Sequence, residues 1–445
     1  MLLPSHGAPI TEPAPALELL AGRMQAYVDA RRTRPWRLRD RLDRPYRRLS
    51  QHLLLNTSST CCTYVLLSDS GAALMIDFGY DMVTGNGIAG GDRAARRPWL
   101  ASLPALRRDF GVTRVEVVLA THHHDDHVAG MNLLRDVELT EVWAPGPVAD
   151  VLEDPDRFDL PCRWHDPVPV DRRLEPGETF RWQEYDITAH DLPGHVRYAA
   201  AYEVTVDGLT VLATGDQQQG QGIPGVQHEV LNYQYRNLFR PQDYQASAAL
   251  YARVRPGLLL SGHWGPRRVD DDLLEMLTRA GDELVGLHDA LLPDDPSFGA
   301  DGIVARIEPY RSRVPGATSV RLRVVVHNPY RDRQRVCVRL KLPHGWPPVA
   351  DQWLDLEGDE TGVLDFVVRA GDRVEVRALV AADVTIGELR LGQHAEALVD
   401  VVPASLVRGA GGAYAGDQVS VVEARTVGKV LAERPRAERV RMRDG

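Results

Sequence analysis

Thr121-His122-His123-His124-Asp125-Asp126-His127 follows directly on the apolar run Val115-Glu116-Val117-Val118-Leu119-Ala120. The run reads as a buried strand ending in a loop that carries imidazoles and carboxylates. Those groups are the usual ligands of zinc and similar transition metals. His122 and His124 are two residues apart, so both point the same way from an extended backbone. Asp126 and His127 come where the chain must turn, and can face a second metal. A charged, solvated loop is the competing reading of such a run, and it is weakened by matching partners downstream.

Those partners are Pro193-Gly194-His195, Thr214-Gly215-Asp216 and Ser261-Gly262-His263. In each, a ligand-type residue follows a strand-like segment and adjoins a Gly that relaxes the backbone. One such His would mean little. Four such elements in this order place a set of ligands along one edge of the fold.

With these residues in this order the chain resembles the metallo-β-lactamase-fold hydrolase superfamily. Its pattern is H-x-H-x-D-H, then a His, a bridging Asp and a final His. The resemblance covers roughly residues 50–290. It implies an α/β fold, a four-layer αβ/βα sandwich with the metals in a cleft between two sheets. His122, His124 and His195 would hold one divalent ion. Asp126, His127 and His263 would hold a second, with Asp216 bridging. Asp77, in Ile76-Asp77-Phe78-Gly79, matches an early Asp that supports the metal loop from behind. Zinc is the expected ion, and the same ligands accept iron or manganese. His123 and Asp125 alternate with the ligands and are expected to point away.

The chemistry expected from the resemblance is metal-dependent hydrolysis. Bound cations lower the pKa of a coordinated water to about 7 from nearly 16. The hydroxide then attacks an ester, thioester or lactone carbonyl. Asp126 is the catalytic candidate, able to orient the nucleophile and help move a proton. The ligand set and the short spacing between Asp216 and His263 fit the glyoxalase II-like, thioesterase and lactonase side. Lactonases of the family carry a Tyr soon after the bridging Asp, whereas this chain reads Gln217-Gln218-Gln219. The usual Pro-Gly-His-Thr-x-Gly is altered to Pro193-Gly194-His195-Val196-Arg197-Tyr198. Arg197 and Tyr198 either contact an anionic substrate or pack the turn. Tyr233, Tyr235 and Arg236 lie in a long loop that reads as a substrate lid or as surface packing. A phosphodiesterase of the same fold, a one-iron persulfide dioxygenase using His122, His195 and Asp216, and a catalytically silent metal protein are the alternatives.

The elements that must position these groups are partly legible. Apolar periodicity predicts helices at residues 14–30, 99–109, 243–254 and 270–287. Strand-like runs at 62–67 and 72–78 flank Asp69-Ser70-Gly71, and those at 201–206 and 209–214 flank Asp207-Gly208, so each pair reads as a hairpin. Another short strand is expected at 258–261. From about residue 300 the chain turns Val-rich and turn-punctuated. Seven strands are expected there: 303–308, 319–327, 335–342, 363–369, 374–381, 384–390 and 395–402. This C-terminal region resembles immunoglobulin-like accessory modules. The expected division is 1–49 helix and basic linker, 50–297 catalytic domain, 298–405 β-sandwich and 406–445 tail.

Two N-terminal features stand apart. Arg31–Arg48 holds nine Arg against two Asp, with Trp36 and Tyr46. It reads as a linker lying across the protein's own acidic surface, or as an RNA-binding arm. Leu2-Leu3-Pro4-Ser5-His6-Gly7-Ala8-Pro9 echoes Leu259-Leu260-Ser261-Gly262-His263-Trp264-Gly265-Pro266. The echo suggests that residues 1–30 are the tail of a preceding domain.

Composition bounds the function. The 445 residues carry a net charge of -10, are 44% hydrophobic and 26% charged. That balance suits a globular protein acting on a small molecule, and argues against a general nucleic-acid binder. No apolar run reaches the roughly 18 residues of a membrane span. Cys61, Cys62, Cys162 and Cys337 are too few and scattered for a disulfide framework, which with the absence of a secretory signal points to a reducing, cytoplasmic compartment. A homodimer through the C-terminal module is among the expected assemblies.

Overall fold

The computed structural model describes residues 9–31, 43–81, 100–218, 236–291, 298–299 and 301–406. Tyr233, Tyr235, His6, Trp36 and the expected 406–445 tail beyond Leu406 lie outside the described residues.

Two sheets form the N-terminal half. The first contains, in spatial order, β1 (Tyr46–Arg48), β2 (Leu53–Asn56), β3 (Thr63–Leu67), β4 (Ala72–Ile76), β5 (Arg114–Leu119), β6 (Glu141–Pro145) and β7 (Arg172–Leu174). The second runs β13 (Gly265–Arg268), β12 (Leu258–Ser261), β11 (Leu209–Gly215), β10 (Ala200–Val206), β9 (Tyr185–Asp191) and β8 (Thr179–Trp182). The first sheet begins at Tyr46, so the end of the Arg-rich stretch is an edge strand and not linker. Arg48 lies over the Phe110 ring at 5.0 Å.

The four layers follow from which faces are apolar. Leu53, Leu55, Tyr64, Leu74 and Leu119 of the first sheet meet Phe180, Ile187, Tyr202, Val204 and Leu260 of the second in one buried core. Helices α2 (Leu103–Phe110), α3 (Asp125–Val128), α4 (Met131–Glu138) and α5 (Gly146–Glu153) lie along the first half of the chain after α1 (Pro13–Arg31). Leu106, Met131, Leu134 and Val148 from this group cover the outer face of the first sheet. Tyr251, Leu273 and Leu277, from α6 (Gln242–Val254) and α7 (Asp271–Leu291), cover the outer face of the second. Burying a side chain of this size contributes roughly 1.5–3 kcal/mol. By contrast α1 leaves Leu17, Leu20, Met24 and Tyr27 exposed.

The C-terminal region holds eight strands where seven are expected. One sheet orders β14 (Ala305–Glu308), β16 (Ser319–His327) and β19 (Thr361–Arg369). The other orders β15 (Arg311–Pro315), β21 (Leu389–Val402), β20 (Glu375–Ile386), β17 (Gln334–Lys341) and β18 (Gln352–Leu356). Both sheets contribute to a single buried core. Arg311–Pro315 and Gln352–Leu356, each interrupted by polar residues, are the two strands a hydrophobicity reading passes over. The expected break near residue 382 is absent because Ala382 and Asp383 pair within the sheet, and the chain turns instead at Gly387, φ 58°. No helix among the described residues is long and apolar enough to cross a membrane.

Candidate metal centre

The candidate ligands sit where strands end. β5 delivers His122 and His124, and α3 places Asp126 and His127 one turn further on. β11 ends at Gly215, just before Asp216, and β12 ends just before Gly262 and His263. The ends are stitched together. Ala200 N–H donates to Thr121 O at 2.8 Å and Gly262 N–H to Gly215 O at 2.7 Å. Two buried tyrosines hold strand ends from the core: Tyr202 Oη donates to Ala120 O and Tyr64 Oη to Ser261 O, each at 2.7 Å.

Ligand atoms of His122, His124, His195 and Asp216 all lie within 4.8 Å of one another, as do those of Asp126, His127 and His263. Asp216 stands between the sets. Its Oδ1 is 3.2 Å from His127 Nε2, and its Oδ2 is 3.0 Å from His263 Nε2 and 3.6 Å from His195 Nε2. Asp126 Oδ2 is 3.1 Å from His263 Nε2. His124 Nδ1 and His195 Nε2 face each other at 3.2 Å. The first set is buried, whereas the Asp126 and His263 side chains are about a third exposed, 32% and 31%.

Asp77 also lies near His122 and His127, but its oxygens are already committed. Oδ1 accepts from Thr121 N–H at 2.7 Å. Oδ2 accepts from Thr121 Oγ1 at 2.6 Å and from His127 Nδ1 at 2.8 Å. Because Thr121 Oγ1 donates to Asp77, it accepts from His122 Nδ1, 3.0 Å away. Both rings are thereby fixed as tautomers with a bare Nε2. Those two Nε2 atoms and Asp216 Oδ1 are buried without a hydrogen-bond partner. Lone pairs of His127 and Asp216 facing each other require a cation or proton between them, so the residues present fit a metal ion. His123 and Asp125 belong to neither set.

Electrostatics agree with that fit. Burial, reinforced by neighbouring imidazoles, pushes His122 well below its ordinary value and His124 down to about 3, which keeps them neutral as ligands must be. Burial also opposes charge on His127, yet Asp216 and other anions outweigh it and raise its pKa. Burial raises the Asp126 carboxyl, but His127 and His263 outweigh it and bring the group down to about 2. The Asp126 and Asp216 carboxylates thus draw positive charge into the cluster, as protons on His127 and His263 or as a bound cation.

The metallo-beta-lactamase superfamily family model matches residues 60–263, the segment that carries all of these groups. Residues 60–263 belong to the metallo-beta-lactamase superfamily. The chain is 33% identical to a hydroxyacylglutathione hydrolase of Cereibacter sphaeroides, over 24% of this chain and 36% of that protein. A second, from Methylobacillus flagellatus, is 29% identical over 26% of this chain and 42% of that protein. The chain therefore spans well under half the length of these curated relatives. Solved structures similar to it include a B3 metallo-beta-lactamase with an active-site glutamic acid, 16% identical, covering 59% of this chain and 98% of that one at a TM-score of 0.40. Another is a subclass B3 metallo-beta-lactamase of Bradyrhizobium japonicum, 18% identical, covering 56% and 94% at 0.36.

Within this metallo-beta-lactamase domain one residue has a role the sequence did not disclose. Gln217 Oε1 accepts from His195 N–H at 2.9 Å. Its Nε2 donates to Pro193 O at 2.9 Å and Ser247 Oγ at 2.6 Å. Gln217 thus clamps the loop that carries a ligand, in the place where a Tyr was the expected comparison. Gly194, φ 148°, leaves room for it: a Cβ there would sit 2.2 Å from Gln217 Nε2. Of the expected substrate residues, Arg197 pairs with Asp243 at 3.4 Å, Tyr198 packs edge-on to Phe158, and Arg236 pairs with Asp159. Cys61 is buried beside the site, and that burial pushes the thiol up to about 12, so it stays protonated and inert.

Proposed function

We propose that this protein is a metal-dependent hydrolase of a carboxylic thioester, ester or lactone, working with two divalent ions. The observation that carries the reading is the position of Asp216, with one oxygen toward His127 and the other toward His195 and His263. His122, His124 and His195 would hold one ion, Asp126, His127 and His263 the other, and Asp216 both. Two such ions supply a nucleophilic water at neutral pH and polarise the carbonyl under attack.

The chain's own groups supply the rest. Asp77 and Thr121 hold the His122 and His127 rings in one tautomer and orientation. Gln217 keeps His195 in register with them. Asp126, ionised at neutral pH and partly exposed, offers Oδ1 or Oδ2 to orient the attacking water and take its proton. Likeness to two hydroxyacylglutathione hydrolases supports the thioester as the first substrate to try. Arg197, Tyr198 and Arg236 are the proposed substrate contacts on the described surface.

The test joins metal analysis to turnover. We expect two ions per chain, loss of turnover on chelation, and recovery with zinc, iron or manganese in a panel of thioesters, lactones and phosphodiesters. Activity confined to phosphodiesters would replace the carbonyl reading. One iron per chain with oxygen consumption on persulfides would replace the hydrolase.

A further inference from the structure

A cavity of about 540 Å³ opens between the metal-binding half and the C-terminal sheets. One wall comes from Arg197, Tyr198 and Arg240, the other from Arg306, His327 and Thr361. Phe239 and Ile303 supply apolar surface. The first wall continues the His195 loop: Arg197 is two residues from that ligand, at most about 7 Å along the chain. It is also tied to the clamp described above, because Arg197 pairs with Asp243, whose backbone oxygen accepts from Ser247, which in turn accepts from Gln217.

The charges in this cavity are unevenly spent. Asp243 is engaged by the Arg197 guanidinium and by the Arg240 amide at 2.9 Å. Asp301 accepts from the Leu238 amide at 3.0 Å, and Asp359 faces His327 at 3.4 Å. Arg306 is held by Glu308 at 2.7 Å. The exposed Arg240 guanidinium lies near enough to Asp243 to pull against the burial that raises that carboxyl, but it closes no ion pair among the described residues. A free guanidinium beside aromatic and aliphatic surface recognises a carboxylate on an apolar stem.

We propose that this cavity, walled on one side by the C-terminal domain, binds the acyl part of the substrate, and that the acyl group ends in a carboxylate read by Arg240. The proposal rests on the hydrolase reading above. The C-terminal sheets then take part in substrate selection and do not merely accompany the catalytic half.

The test compares the full-length, metal-loaded protein on S-butyryl- and S-glutaryl-N-acetylcysteamine, which differ only by a terminal carboxylate. We expect the wild type to favour the glutaryl thioester in kcat/KM by about ten-fold, the size of one charge-assisted contact. Arg240→Ala should bring the ratio close to one through KM, and Arg240→Lys should restore part of the preference. Thr361→Trp, which fills the cavity from the C-terminal wall, should also reduce the preference. A wild-type ratio of one, or a preference that Arg240→Ala leaves intact, would overturn the proposal. If neither thioester is turned over, the wider substrate panel above decides the hydrolase reading separately. Calorimetric titration with glutarate then decides the pocket: binding weakened about ten-fold by Arg240→Ala supports it, and no binding refutes it.

Discussion

Asp77 supports the site through the groups it orients. It accepts three hydrogen bonds in a backbone conformation with φ 57°. Asn tolerates that left-handed geometry, so Asp77→Asn changes the chemistry and spares the backbone. It should lower metal affinity by about 10- to 100-fold, the usual effect of removing a group behind a ligand, measured by competition with a chelator of known affinity. Thr121→Val removes the acceptor that fixes the His122 tautomer and should act in the same direction. A variant with wild-type affinity would mean that the rings are oriented by packing alone. The Asp216→Asn variant should retain fewer metal ions per chain than wild type, because one neutral oxygen replaces a charge shared by two sets.

Elements matter through how closely their ends approach. A Cβ on Gly262 would lie 2.1 Å from Asp216 Oδ1 and 2.7 Å from His127 Cε1. Gly262→Ala must therefore push two ligands apart. We expect about 1–3 kcal/mol of destabilisation together with lost metal, read by thermal melts with and without chelator. Gln217→Leu keeps the bulk but removes the acceptor of the His195 N–H and the donor to Pro193 O and Ser247 Oγ. It should cost about 1–3 kcal/mol and weaken metal binding, and unchanged melting would remove the clamp from the account. At this scale the sequence was a partial guide. Long helices and hairpins were readable because their apolar period persists. α3, α4 and α5 run only four to eight residues, too short for a period to declare itself, and β7 has little apolar pattern at all.

Across the whole molecule the two halves are joined at Glu308. It is buried, and it accepts from Arg157 Nε at 2.9 Å and Arg306 Nε at 2.7 Å. Tyr310 N–H donates to Arg157 O at 3.0 Å beside it. Glu308→Ala strands two guanidiniums and should weaken the coupling, so that calorimetry resolves two unfolding transitions in place of one. Burial alone would raise the Glu308 carboxyl, but the two guanidiniums outweigh it and hold it below its ordinary 4.5. A depressed native pKa contributes stability that is present above 4.5 and is lost as pH falls through the native value. The coupling should accordingly fail on acidification below 4.5 in the wild type, and an acid-insensitive junction would count against this pair.

The reading of a metal site was available from the sequence itself. Metal affinity is a property of side-chain type, and placing such groups just after strands is a property of local pattern; with the family resemblance these made His122, His124, Asp126, His127, His195, Asp216 and His263 the candidate ligands before any fold was known. What only the tertiary structure decided is what stands behind and beside them. Thr121 and Gln217 are ordinary residues in the sequence, and their roles arise because segments far apart in the chain pack within hydrogen-bond distance. The cavity at Arg240 has the same origin, since neither half of the chain encloses it alone.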